Sequence, residues 1–131
     1  CEIGRLLHLR TVMVTFGHVW SKDNRVDEYL IHKSPVEFIN LIRNADYVVT
    51  NSFHGMALSI EFNRQFLAFK RKAYNSRLDS LSKLFDLSHR LVSPDISDEL
   101  IKESIKPLDY TRINEKLHDM RAIYERFLDF T

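Results

Sequence analysis

Five consecutive residues, Asn51, Ser52, Phe53, His54 and Gly55, combine what an anion-handling corner needs. Ser52 can cap a helix that starts immediately after it. The first N–H groups of such a helix have no acceptor of their own, so they and the positive end of the helix dipole favour a phosphate or carboxylate. His54 then stands on the first turn, where an imidazole can donate a proton or hydrogen-bond an oxyanion near neutral pH. Gly55 removes a Cβ where a ligand would approach the backbone. A plainer reading has Ser52 as an ordinary cap, Gly55 as a relief of packing and His54 as a partly buried histidine bonded to backbone. Ser52 and His54 do not form a nucleophilic dyad, because residues two apart at a strand end point to different sides and no carboxylate is placed to orient the ring.

A second polar corner follows at Asn75, Ser76 and Arg77, preceded by the basic run Lys70, Arg71 and Lys72. The guanidinium of Arg77 suits a phosphate or carboxylate held near His54, although Asp79 or a helix carboxyl end is an equally available partner. The basic run by itself reads as a solvated loop.

These corners require strands to end where they begin. Ala45 to Thr50 is apolar enough, and short enough, to be a central strand of a parallel sheet. Phe53, Met56, Ala57 and Ile60 then repeat at helical spacing, so a helix follows almost without a loop. Phe66 to Phe69 gives a further strand, and Thr11 to Phe16 an earlier one ended by Gly17, with the polar stretch Ser21 to Asp27 as a loop. Tyr29 to Ile31 is a weaker strand candidate. Ser34, Pro35 and Glu37 announce a helix to about Asn44, with Phe38, Leu41 and Ile42 inward. Ser76 and Asp79 open another, with Leu78, Leu81, Leu84 and Phe85 inward. Asp109 or Thr111 opens a long last helix with the stripe Ile113, Leu117, Met120, Tyr124 and Phe127. Between them, Leu91 to Pro107 reads as surface chain with one short helix over Ser97 to Ile105. Strands alternating with helices predict one α/β domain over residues 1–131, a Rossmann-like parallel sheet flanked by helices, in which the strands at Thr11, Tyr47 and Phe66 are neighbours. Ligands of such sheets bind beyond the carboxyl ends of the strands, where Asn51 to Gly55 falls.

Composition narrows the class. In 131 residues, 44% hydrophobic content is enough for a continuous core, and 19 Lys and Arg against 18 Asp and Glu leave no net field to attract nucleic acid or an anionic membrane. One cysteine and scattered histidines predict no disulfide and no metal site. No apolar run approaches the roughly 20 residues of a membrane span, so the expected location is the cytoplasm, the inner membrane surface included. The absence of an initial methionine, with Ile3, Leu6 and Leu7 already at helical spacing, predicts a truncated piece of a longer protein.

The segment from Ser34 to Leu87, above all Asn44 to Gly55 and then Asn75, Ser76 and Arg77, resembles the C-terminal half of polysaccharide pyruvyl transferases. The resemblance implies a fold of glycosyltransferase-B type made of two Rossmann-like halves, with the upstream half missing here. It also implies transfer of pyruvate from phosphoenolpyruvate to a sugar or lipid-linked glycan as a ketal, with no cofactor. His54 becomes the motif histidine of phosphoenolpyruvate binding and catalysis. Phe53 becomes an apolar neighbour lining the same site, Asn51, Ser52 and Gly55 fill the rest of that motif, and Asn75, Ser76 and Arg77 form the second binding corner. Gln65, where proline is expected, and Tyr124, where a small polar residue is expected, depart from the pattern. Two other functions stay open. One is a sugar-nucleotide glycosyltransferase of the same architecture, although such enzymes favour a glycine-rich turn and the three glycines here are not clustered. The other is a non-catalytic α/β binding domain.

Overall fold

The structure is a computed structural model describing residues 2–15, 26–31 and 34–129. It divides into two compact units, Cys1–Leu41 and Ile42–Thr131. The first unit contains helix α1 (Glu2–Leu7), strands β1 (Val12–Thr15) and β2 (Glu28–Ile31), and most of helix α2 (Pro35–Arg43). The expected capping box of α2 is present: Glu37 N–H donates to Ser34 Oγ and Ser34 N–H to Glu37 Oε2, both at 3.2 Å.

The expectation that β1 neighbours the strands at Tyr47 and Phe66 is corrected, because β1 pairs with β2, in parallel, from Val12 opposite Glu28 to Thr15 opposite Ile31. The weak strand candidate is therefore a full partner. Polar contacts at its start set the register. The Asp27 carboxylate accepts from the Thr11 N–H at 2.6 Å and the Thr11 hydroxyl at 3.0 Å, and Arg10 pairs with Glu28 at 2.5 Å. The Thr11 donors hold the Asp27 carboxyl below its usual range. Phe16, Gly17 and the loop expected from Ser21 lie outside the described residues up to Val26.

The second unit is a three-stranded parallel sheet, ordered β3 (Tyr47–Thr50), β4 (Gln65–Phe69), β5 (Leu91–Val92). Helix α3 (Phe53–Glu61) joins the first pair, and helix α4 (Ser76–Leu84) with a 3-10 turn at Ser88–Arg90 joins the second. Together these give the chain its Rossmann-like α/β character of parallel sheets flanked by helices. Strand β5 lies in the stretch expected to be surface chain. At two residues it is too short to show any periodicity.

Phe66, Leu67 and Ala68 are fully buried, as a central strand requires. Helix α3 covers the sheet with a face of Gly55, Met56, Ser59 and Ile60, whose small members let helix and sheet approach closely. The Ser59 hydroxyl, fully buried, donates to Gly55 O at 2.7 Å. Asn63 and Asp86 close α3 and α4 in the left-handed region, each at φ 55°, a conformation short polar side chains tolerate.

Helix α4 turns Leu78 and Leu81 inward, but Leu84 is 40% exposed, because Phe85 takes the inward place at the helix end. Helices α5 (Asp98–Ser104) and α6 (Thr111–Asp129) complete the unit. Along α6, Ile113 and Leu117 pack on the core and Met120 does not, while the side chains of Tyr124 and Phe127 lie outside those described.

Ile60 is 1% exposed in the core cluster. Ile60→Ala is therefore expected to cost about 2 to 4 kcal/mol in urea unfolding. A loss under about 1 kcal/mol would mean that α3 does not seat on the sheet as described.

Candidate active site

The corner after β3 is built as a helix start. Ser52 is extended (φ −103°, ψ 137°), and its hydroxyl accepts the Gly55 N–H at 3.3 Å, which makes it the cap of α3. Its own N–H donates to Thr50 Oγ1 at 3.1 Å. Helix geometry leaves the first-turn N–H groups of Phe53 and His54 without an acceptor inside the helix. His54 is exposed, and its ring meets Phe53 edge-on at 5.6 Å between centroids. Among the described residues no hydrogen bond occupies its nitrogens, so it is not the backbone-bonded core histidine of the plainer reading.

Gly55 follows that plainer reading instead. It is buried, and a Cβ there would fall 2.3 Å from Thr50 Oγ1 and 3.0 Å from Thr50 Cβ. The missing side chain makes room for the strand rather than for a ligand. Gly55→Ala is thus expected to push the first turn of α3 off the end of β3 and to destabilise by about 1 to 3 kcal/mol. Thermal unfolding of this variant, alone and with Thr50→Ala, checks the cause: the second change should recover part of the loss. No recovery would place the strain elsewhere.

The corner after β4 comes against the first. The Arg77 guanidinium lies 4.0 Å over the centre of the Phe53 ring, a cation–π contact, while Lys70 rather than Arg77 pairs with Asp79, at 3.8 Å. Arg71, read from sequence as part of a solvated loop, is anchored at both ends. Its Nε donates to Asn51 O at 2.9 Å, and its backbone is held by the Asn75 side chain. Ser52, Phe53, His54, Arg71, Tyr74, Arg77 and Leu78 line one pocket of about 100 Å³.

Of the residues singled out from sequence, Ser52, Phe53, His54 and Arg77 thus share one pocket. Asn51 reaches it through its carbonyl, Asn75 through Arg71. Ser76 opens α4, exposed, without lining the pocket. Arg71 and Tyr74 were not legible. The only sequence signal for either was the position of Arg71 just past a strand's carboxyl end, where ligands of parallel sheets bind.

A larger cleft, about 620 Å³, opens near the amino ends of the strands beside His89 and Arg90. Its walls mix Asp86, Glu103 and Asp109 with Lys106 and Arg112, so no one charge sign dominates. Burial holds His89 below the usual histidine range. Among the described residues no cluster of His, Cys, Asp or Glu could hold a metal ion, and no helix is long and apolar enough to cross a membrane.

With this geometry in place, residues 3–73, more than half the chain, match the family model of polysaccharide pyruvyl transferases. The chain belongs to that family. No curated protein and no solved structure matches it significantly. The pyruvyl transferase match includes Ser52, Phe53, His54 and Arg71 and stops before Tyr74 and Arg77, so those two join the pocket by geometry alone. The departure at Gln65 also has a structural account. Its side-chain amide donates to Leu108 O at 3.1 Å and accepts from Leu108 N at 2.7 Å, which clamps the approach to α6 onto the start of β4.

Proposed function

We propose that this chain is the donor-binding half of a pyruvyl transferase that takes phosphoenolpyruvate and joins its pyruvyl group to a glycan sugar as a ketal. The observation that carries this reading is one pocket in which an exposed histidine faces two guanidinium groups at an open helix start. Phosphoenolpyruvate is a small dianionic to trianionic ligand, and the fixed donors suit both its phosphate and its carboxylate.

In the reaction, protonation of the methylene carbon leaves a cationic centre at C2. One sugar hydroxyl adds there with loss of its proton, the C2–O bond breaks with its electron pair leaving on phosphate, and a second hydroxyl closes the ketal with loss of its own proton. His54 serves either as donor of the carbon-bound proton or as the group that neutralises the departing phosphate. Arg71, Arg77 and the first N–H groups of α3 receive charge as it moves onto phosphate, and because they are already in place no reorganisation is needed. The pocket is small, about 100 Å³, and His54 is exposed, so in this reading a facing half, carried by a longer form of the protein, excludes water and aligns the acceptor.

Amide-shift titration of the chain with phosphoenolpyruvate, inorganic phosphate and a nucleotide sugar tests this reading. Shifts are expected at residues 51–56 and at Arg77, with affinity on the order of millimolar and weakening as salt rises. Tighter binding of the nucleotide sugar would replace the pyruvyl transfer reading with glycosyl transfer. No shift at Phe53 and His54 with any of the three would leave a non-catalytic domain.

A further inference from the structure

Asn75 occupies the capping position of α4 and does not cap it. Its backbone (φ −93°, ψ 0°) is not the extended form of a capping residue, and its side chain makes no bond to the first turn. Instead it faces backward. Asn75 Oδ1 accepts the Arg71 N–H at 2.8 Å, and Asn75 Nδ2 donates to Arg71 O at 2.9 Å. Both polar functions of the amide therefore act on one residue four positions earlier. Closing this five-residue loop places Tyr74 in the left-handed region at φ 65°, where a tyrosine is uncommon, and leaves it 93% exposed. A helix cap is stabilising, so forgoing one while holding a tyrosine in an unfavourable conformation calls for a compensating role.

That role is visible in what Arg71 does once its backbone is held. Its Nε crosses to Asn51 O at 2.9 Å, tying the loop after β4 to the loop after β3. The remaining guanidinium N–H groups are left for the pocket that Arg71 shares with His54 and Arg77. An exposed arginine has many rotamers, and an anion that must order it loses affinity to that entropy. A backbone clamped at N–H and carbonyl, with a side chain clamped at Nε, removes most of that freedom before the ligand arrives.

We infer that Asn75 is a positioning residue that acts through Arg71, holding its guanidinium as a preset anion donor across the two corners of the pocket. This rests on the proposal that the pocket takes the phosphate of its substrate. Asn75 itself does not touch the ligand.

The test is a double-mutant cycle on the whole chain, read by amide shifts of Phe53 and His54 during titration with inorganic phosphate and, separately, phosphoenolpyruvate. Arg71→Ala is expected to weaken binding about tenfold and Asn75→Ala about fivefold, with the double variant no weaker than Arg71→Ala alone. Asn75→Ser separates positioning from helix capping. Serine is a good cap that cannot grip Arg71 at both ends, so α4 should stay folded while binding falls as in Asn75→Ala. Additive losses, or wild-type binding in Asn75→Ser, would overturn the positioning role and leave the phosphate pocket standing. Failure of the unsubstituted chain to shift Phe53 and His54 with either ligand would overturn both together.

Discussion

Replacing His54 with glutamine is expected to lower pyruvyl transfer by at least about a hundredfold with little change in stability. The stability half follows from burial, since His54 is exposed on the first turn of α3 and its ring makes an edge contact with Phe53 but no hydrogen bond among the described residues. Glutamine keeps the size and one amide donor, so the helix start and the pocket wall should persist. The activity half follows from charge. A glutamine amide neither releases a proton to carbon nor carries positive charge against phosphate, and both candidate roles of His54 need one of these. The two roles separate kinetically. If His54 protonates the methylene carbon, the loss falls on kcat and the solvent deuterium isotope effect on the residual rate should change. If it only neutralises phosphate, the apparent affinity for phosphoenolpyruvate should fall with it. Near-normal turnover in the variant would reduce His54 to a surface residue and leave Arg71 and Arg77 as mere anion ligands. On the proposal that a facing half completes the site, the assay uses protein that carries that half, and the unfolding curve is measured on this chain.

The helix start at Ser52 was legible because capping chemistry is local: an N-cap serine, a glycine three residues on and apolar residues at helical spacing determine it without reference to the rest of the fold. The same holds for the capping box of Ser34 and Glu37. The meeting of the two corners was inferable from the parallel order of strands, which brings successive carboxyl ends to one edge of the sheet. What sequence could not convey were contacts whose partners lie far along the chain or whose geometry depends on a particular loop. Arg71 reads as one of three basic residues in a row, and its bonds to the Asn75 side chain and to Asn51 O, twenty residues earlier, distinguish it. Gly55 looks the same whether it admits a ligand or a threonine, and its distance to Thr50 decides for the threonine. The pairing of β1 with β2 depends on a polar staple between Thr11 and Asp27 that no hydrophobic pattern reports. Leu84 misled because Leu81, Leu84 and Phe85 compete for one inward stripe, and the choice between neighbours at 84 and 85 is made by packing.

The largest loss of stability from a single polar residue is expected at Arg90. It stands just before β5, near the amino ends of the strands and away from the pocket, and is 2% exposed. Strand β5 pairs with β4 only at Ala68 and Phe69, so on the β5 side the Phe66 carbonyl, two residues earlier, has no strand beside it. Arg90 supplies the missing donor: its Nη1 reaches Phe66 O at 2.9 Å and Tyr47 Oη at 3.3 Å, and its Nη2 donates to Lys106 O. Three segments are thereby joined by one guanidinium, whose planar array of donors no other side chain offers. Burial lowers the pKa of Arg90 and raises that of Tyr47, as expected where charge is held by carbonyl and phenol oxygens rather than by a carboxylate. The Arg90 Nε is buried without a partner, so the arrangement already carries one unpaired polar atom. Arg90→Ala should therefore cost about 3 to 5 kcal/mol, the sum of a large cavity and acceptors left without donors. Arg90→Met restores most of the volume and none of the hydrogen bonds, and should still cost about 2 kcal/mol. Arg90→Lys keeps the charge but concentrates its donors on one nitrogen, which cannot serve Phe66 O and Lys106 O in the same geometry, so it should not recover the wild-type value. Urea unfolding of the three variants orders these contributions. A methionine variant as stable as the wild type would show that Arg90 fills space and that the short β5 needs no substitute donor. A lysine variant as stable as the wild type would show that charge, not the planar fork, is what the three segments share.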